Sequence, residues 1–307
     1  MVNELHVRVD RADVACIGSS WREGERIEVL RTLYHAQRFP RHTHDTFTFG
    51  LGLRGTGSIW YHGQHHARGP GDIVVIPPGE VHTGGVGRGA KLLSYLAVYV
   101  PAQVWAVCAD AEQIRSAEAM DLRSPVLQNA AVAAALRRLN AVLWPTAICS
   151  RSPRRNGTSS GFADADAAED ALHVALGALL RHLSRGHSRP PNTALLHGEP
   201  QLVRIVREIL DDCYSDRAQT SLHALAGRTG VTSFHLVRAF TRVTGRSPHQ
   251  YLLQVRVQRA RQLLAAGEPP SLVAAIAGFA DQSHLTTHFK RYTGITPAHY
   301  QRCLSAR

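Results

Sequence analysis

One pattern is written twice in the last third of this 307-residue chain, and it restricts the fold more than any other feature. Residues 232–251 and 281–300 are identical at eight of twenty positions: His235/His284, Leu236/Leu285, Phe240/Phe289, Arg242/Arg291, Thr244/Thr293, Gly245/Gly294, Pro248/Pro297 and Tyr251/Tyr300. A Leu-x-x-x-Phe pair, a Gly and a [Ser/Thr]-Pro held in register over that span mark a duplicated supersecondary unit.

Each copy predicts a helix-turn-helix. In the first, Ser221 caps a helix with Leu222, Leu225 and Ala226 on one face, Gly230 makes the turn, and a second helix over 233–244 buries Leu236 and Phe240 before Gly245 stops it. In the second, Ser271 caps a helix carrying Leu272, Ala274 and Ala275, Gly278 turns, Phe279 is core, and Asp281 caps a helix that buries Leu285 and Phe289 and ends at Gly294. Between the copies, Ser247-Pro248 starts a helix and Gly267 with Pro269-Pro270 ends it. A helix over 248–266 is roughly 28 Å long, against about 34 Å between successive major-groove faces. Such a rod would hold two recognition helices in consecutive grooves of one duplex. A helix from Gln201, with Leu202, Ile205, Val206, Ile209 and Leu210 on one face, would support the first unit from behind.

The segment Gly278-Phe279-x-Asp281-x-Ser283-x-Leu285-x-x-x-Phe289-Lys290-Arg291-x-x-Gly294-x-Thr296-Pro297-x-x-Tyr300 resembles the signature of the AraC/XylS family of transcription regulators, and residues 200–302 as a whole resemble that family's DNA-binding domain. With Leu236 and Phe240 inward, Ser233, Phe234, Val237 and Arg238 project from the first recognition helix. With Leu285 and Phe289 inward, Gln282, Ser283, Thr286 and Thr287 project from the second. The resemblance places these positions in the major groove. Arg238 is the expected base reader, because a guanidinium pairs bidentately with guanine, whereas Lys290 and Arg291 suit phosphates or solvent. Two departures stand out: Leu285, where the family often has Phe, and Thr287, where some members carry a DNA-contacting arginine. The resemblance further implies double-stranded promoter DNA as a partner, RNA polymerase if the chain activates, and a homodimer.

Charge is distributed accordingly. Residues 198–307 hold 14 Lys+Arg against 7 Asp+Glu, while residues 1–143 hold 15 against 13. A basic module beside a nearly neutral one is the electrostatic footprint of a DNA-binding protein. Cys16, Cys108, Cys149, Cys213 and Cys303 show no paired spacing and read as reduced thiols. With no long apolar run and no signal-peptide pattern, the expected location is the cytoplasm, without membrane contact.

The amino-terminal part reads as short strands, at Leu5–Val9, Arg26–Leu30 and Phe47–Phe49, punctuated by Gly/Pro clusters around 54–57, 69–71 and 77–79. The run from Pro70 to His82, preceded by His42-Thr-His44, resembles a cupin barrel, the usual ligand-binding domain of the same family. His42, His44 and His82, with Trp60 as an apolar wall, are the expected contacts of a small-molecule effector. Three such histidines can also bind a divalent metal. The metal-binding cupin pattern places a glutamate where Phe47 and Thr48 stand, so no metal or other cofactor is expected. Leucine stripes at 132–143 and 172–183 (Val132, Leu136, Leu139, Leu143; Leu172, Leu176, Leu179, Leu183) usually pack on their own domain; in this family they would make the dimer interface.

The resulting expectation is a multidomain α+β chain: a cupin-like effector-binding barrel over 1–100, a helical dimerisation region over 101–186 with a disordered insertion at about 145–164, a linker over 187–199, and an all-α DNA-binding domain over 200–307 with helix-turn-helix units at about 221–244 and 271–293. Its function would be effector-controlled transcription regulation without catalysis. The rival is a cupin metalloenzyme using His42, His44 and His82 with an accessory helical domain. It leaves the duplicated unit unexplained.

Overall fold

The computed structural model describes residues 11–18, 26–112, 114, 121–122, 124–144, 165–184, 188–189 and 201–305. The expected strand at Leu5–Val9, the insertion at 145–164 and all of the linker except 188–189 lie outside them.

Strands β1 (Arg11–Gly18), β2 (Arg26–Tyr34), β3 (Arg38–His42), β4 (Thr46–Gly55), β5 (Gly57–Tyr61), β6 (Gln64–Arg68), β7 (Ile73–Ile76), β8 (His82–Val86) and β9 (Leu93–Pro101) form two antiparallel sheets with the short β11 (Val126–Leu127). Their orders are β1-β2-β9-β4-β7-β11 and β3-β8-β5-β6. A two-residue ladder joins β10 (Asp121–Leu122) to β12 (Ser188–Arg189). Local chemistry sets the turns: the β5–β6 hairpin closes over His62 and Gly63, both at positive φ (45° and 83°). That backbone twist matches the twist of the flanking strands, at some cost for the non-glycine residue.

Helices α1 (Ala102–Ala111), α2 (Ala130–Leu143) and α3 (Ala165–Ser184) cover one side of the larger sheet. Their leucine stripes share a core with Phe49, Leu51, Val98 and Val100, and Trp105 stacks on Phe47 at 4.3 Å. Val132, Leu136, Leu139, Leu172, Leu176, Leu179 and Leu183 are essentially inaccessible. These stripe residues therefore take the first of the two roles expected of them, packing on their own domain, and are not free to face a second copy.

The carboxyl-terminal half is all helical: α4 (Gln201–Asp212), α5 (Leu222–Thr229), α6 (Ser233–Thr244), α7 (Pro248–Ala265), α8 (Pro270–Ile276), α9 (Gln282–Thr293) and α10 (Pro297–Ser305). Ser221, Thr232 and Asp281 accept N-cap hydrogen bonds from Ala224, His235 and His284. Ser247 and Gln250 close a reciprocal capping box at the start of α7. Gly230, Gly245 and Gly294 cap in the left-handed conformation. Ser271 is not a cap. Pro270, its φ preset and its missing N–H no loss at a helix start, opens α8 two residues earlier than a Ser271 cap would and leaves Ser271 inside the first turn. Leu222 and Leu272, expected on buried faces, are 39% and 45% exposed because the faces that meet the core run through Leu225 and Ala226 in one helix and Val273 and Ala274 in the other.

The two helix-turn-helix units are held by different cores. Leu225, Leu236 and Phe240 pack with Val203, Val206, Ile209 and Leu210 of α4. Leu285 and Phe289 belong to a core that continues into the barrel through Leu30, Tyr34, Leu93 and Tyr95. No helix among the described residues is long and apolar enough to cross a membrane.

Candidate functional site

A cavity of about 90 Å³, partly open to solvent, lies where the barrel meets the carboxyl-terminal half. Barrel strands supply Glu28, Leu30, His42, Thr48, Ile59, Arg68, His82, Tyr95 and Tyr99, and the turn between β3 and β4 supplies His44; Arg261, Tyr292, Thr293, Ile295 and Tyr300 supply the opposite wall.

The three histidines converge because β3 and β8 pair with His42 opposite His82. Ring centroids are 4.3 Å apart for His42–His82, 4.9 Å for His42–His44 and 5.0 Å for His44–His82. His42 Nδ1 lies 2.8 Å from the Pro40 carbonyl and His82 Nδ1 3.0 Å from that of Glu80. A carbonyl only accepts, so each Nδ1 carries the proton and each Nε2 keeps a free lone pair. Burial is the main force holding the rings neutral: the His42 pKa falls to about 4, with Arg246 adding to the effect against the Pro40 bond. His44 and His82 are also held well below the usual histidine range, by burial first and then by neighbouring histidines and arginines.

One ring nitrogen from each of the three lies within 4.8 Å of the others, a donor set that suits a transition metal. The surroundings oppose one. Phe47 is locked in the core against Trp105, Thr48 offers no charge, and Arg68, Arg246 and Arg261 place positive charge around the cluster.

Trp60 is not part of the lining. Side chains alternate along β5, so Ile59 faces the cavity and Trp60 the other side, where Arg41 lies 4.2 Å from its ring. Sequence reasoning missed Glu28, Arg68, Tyr95, Tyr99, Arg261 and Tyr300, none of which it had placed at an effector site.

Two side chains on one face of α7 connect this cavity to the helical half. Gln254 Nε2 donates to the Thr43 carbonyl at 2.8 Å and to its hydroxyl at 2.9 Å, while the Thr43 N–H donates to Gln254 Oε1 at 3.0 Å. Thr43 is the residue between His42 and His44. Two turns on, Arg261 Nη2 pairs with Glu28 Oε1 at 2.5 Å, and the Tyr300 hydroxyl donates to Glu28 Oε2 at 2.8 Å. Further contacts come from Tyr34 to the Thr293 carbonyl and Gln37 to the Arg291 carbonyl, both 3.4 Å.

Along the recognition helices, Ser233, Phe234 and Arg238 of α6 are exposed and Val237 is half-buried. Phe234, at 77%, is the most exposed large apolar side chain among the described residues. Gln282, Ser283 and Thr287 of α9 are exposed and Thr286 is half-buried; the two threonine hydroxyls donate back to the carbonyls of Gln282 and Ser283. Lys290 and Arg291 are exposed in the last turn.

Comparison with known proteins bears on both halves. The family described as AraC-like ligand binding domain matches residues 26–176, and the one described as helix-turn-helix domain matches 225–302. The chain belongs to the AraC family of transcriptional regulators. Among its relatives, the uncharacterized HTH-type transcriptional regulator YbfI of Bacillus subtilis is 28% identical over 262 residues, 84% of this chain and 86% of that protein. RipA of Corynebacterium glutamicum, also an HTH-type regulator, is 39% identical over 99 residues, 32% of this chain and 29% of its own length. ToxT from Vibrio cholerae shares the fold, with a TM-score of 0.51 at 10% identity over 96% of this chain and 98% of that one. An AraC-type chain with both modules is an effector-controlled, DNA-binding regulator, and the metalloenzyme reading is not favoured.

Proposed function

We propose that occupancy of the cavity sets the position of the second helix-turn-helix, and through it the affinity for a promoter. The observation that carries this reading is the wall formed by Tyr292, Thr293 and Ile295: the last residues of the second recognition helix and the residue after its stop are also cavity lining. A ligand touching them binds two arrangements of α9 unequally, and that difference is the free energy available to move it. His42, His44 and His82 are assigned to effector contact.

On the DNA face, Arg238 is assigned to a base edge, Ser233, Phe234 and Val237 to the groove around it, and Gln282, Ser283, Thr286 and Thr287 to the second groove. Short neutral side chains on α9 concentrate specificity under α6. The active form is assigned as a homodimer, through a surface other than the buried leucine stripes, and RNA polymerase is a partner if the protein activates. No catalytic role is assigned to any residue.

The test is selection of binding sites from a random DNA pool by the purified protein, followed by titration of the selected site with and without candidate metabolites. A ligand that changes operator affinity in wild type but not in a His44→Ala, His82→Ala variant with intact DNA binding is the expected result. A ligand response untouched by both changes would move the effector site elsewhere.

A further inference from the structure

Among the described residues lining the cavity, Arg68 is the charged group that nothing balances. Its side chain is 8% exposed, its Nε has no hydrogen-bond partner, and no carboxylate among the described residues forms an ion pair with it. Its guanidinium lies 4.4 Å from the Tyr95 ring centroid and is hydrogen-bonded to Tyr95, a neutral neighbour that supplies contact without compensating charge. The other lining arginine, Arg261, already has Glu28.

The position is also shaped to hold Arg68. It pairs across the hairpin with Gly57, where an added Cβ would stand 2.8 Å from Arg68 Nε and 2.9 Å from Leu93 Cδ2. Glycine there opens the space the guanidinium occupies.

Burying an unpaired cation costs several kcal/mol unless a partner arrives. The lining charges are Arg68, Arg261 and Glu28, a net of plus one, with the three histidines neutral. One negative charge restores balance, whereas a doubly charged phosphate would overshoot it. Most of the remaining lining is apolar: Leu30, Phe39, Phe49, Ile59, Val74 and Ile76.

We propose that the effector is an amphiphilic monocarboxylate whose carboxylate pairs with Arg68 and whose carbon body fills the apolar part of the cavity. This assignment rests on the effector reading given above and specifies its chemistry. A planar guanidinium suits a carboxylate because two of its N–H groups can meet two oxygens at once.

The experiment compares acids with their uncharged amides on the full-length protein: octanoate with octanamide, benzoate with benzamide, and 4-phenylbutyrate with its amide, read by thermal melting and calorimetric titration. At least one acid is expected to bind roughly tenfold or more tighter than its amide, the scale of a charge-assisted hydrogen-bonded pair. Arg68→Gln should erase that preference and Arg68→Lys should keep part of it. A panel in which no acid outperforms its amide overturns the proposal, as does an Arg68→Gln protein that keeps the preference. If Arg68→Gln does not fold, the wild-type comparison and Arg68→Lys decide. Operator titration separates this proposal from the reading beneath it. An acid bound through Arg68 that leaves operator affinity unchanged removes the effector role and keeps the site. An operator response to a neutral ligand, unchanged in Arg68→Lys or Arg68→Gln, keeps the regulator and removes the carboxylate.

Discussion

The two copies of the helix-turn-helix share a sequence pattern and differ in what they lean on. The first is braced by α4, has a core separate from the barrel, and meets the barrel at its stop, where Arg41 donates to the Gly245 carbonyl at 3.4 Å. The second shares its core with the barrel and lends the end of its recognition helix to the cavity wall. Docking has given the end of one recognition helix a second place, in the cavity wall. Under the proposal above, the first copy is the fixed reader and the second the adjustable one.

The sharpest way to break this comparison is to hollow out each copy in turn. Phe240→Ala and Phe289→Ala each remove a fully buried ring and should each cost about 3–5 kcal/mol. Phe240→Ala is expected to abolish DNA binding while leaving the barrel's melting transition and ligand binding in place. Phe289→Ala should damage both, and equal damage to the barrel from the two variants would refute the separation of cores.

Acid should act on the docked side. The histidine pKa values are depressed in the folded state, so the unfolded chain binds more protons below the ordinary value of 6.5. Stability contributed by neutral His42 is complete above about pH 6.5 and drains away as pH falls toward about 4, by roughly 3 kcal/mol. Melting followed at pH 7.5 and 4.5 should show the loss, and His42→Gln should flatten it. A pH-independent transition would mean that these rings are not held neutral.

Glu28→Gln tests the clamp itself. Arg261 and Glu28 are 24% and 16% exposed, so the cost is discounted from that of a fully buried pair to about 2 kcal/mol. Limited proteolysis should reveal easier cleavage between the halves and a weaker response of DNA binding to ligand, with α6 contacts unaffected.

The smallest expected effects concern the reading heads. Arg238→Ala should cost about 1–3 kcal/mol and relax preference at one operator position, whereas a phosphate contact would weaken all sequences alike and flatten the salt dependence. Gln282→Ala should cost less than about 1 kcal/mol, since α9 offers little else that discriminates bases. Binding-site selection with equal information in both half-sites would remove the asymmetry.

What was legible in the sequence was local. Ser221, Asp281, Gly245 and Gly294 declare helix ends through chemistry confined to a few residues, whereas the two-residue spacing of His42 and His44 suggests a shared strand face and His44 in fact stands in the turn after β3. Trp60 shows the limit of that spacing: alternation predicts that neighbours face opposite ways, and the parity is fixed only by pairing with β6 and β8. The Glu28–Arg261–Tyr300 cluster joins residues more than two hundred positions apart, beyond any periodic signal. Arg68, at the end of a polar strand before Gly69-Pro70, reads as a solvent-facing cation until the fold closes over it.

The paired stops at Gly245 and Gly294 have a consequence for how the two copies can drift. Both take a left-handed backbone, φ 70° and 83°. Past Gly245 the nearest obstacle to a side chain is a Val81 methyl at 3.4 Å, so asparagine, which tolerates this conformation, has room there. Past Gly294 the Tyr34 hydroxyl stands 2.1 Å from where a Cβ would be, and no residue larger than glycine fits while the barrel is docked. Once a repeat has been built into another domain, its spelling is no longer its own: asparagine at 245 leaves the joint in place, whereas asparagine at 294 keeps the helix and loses the joint.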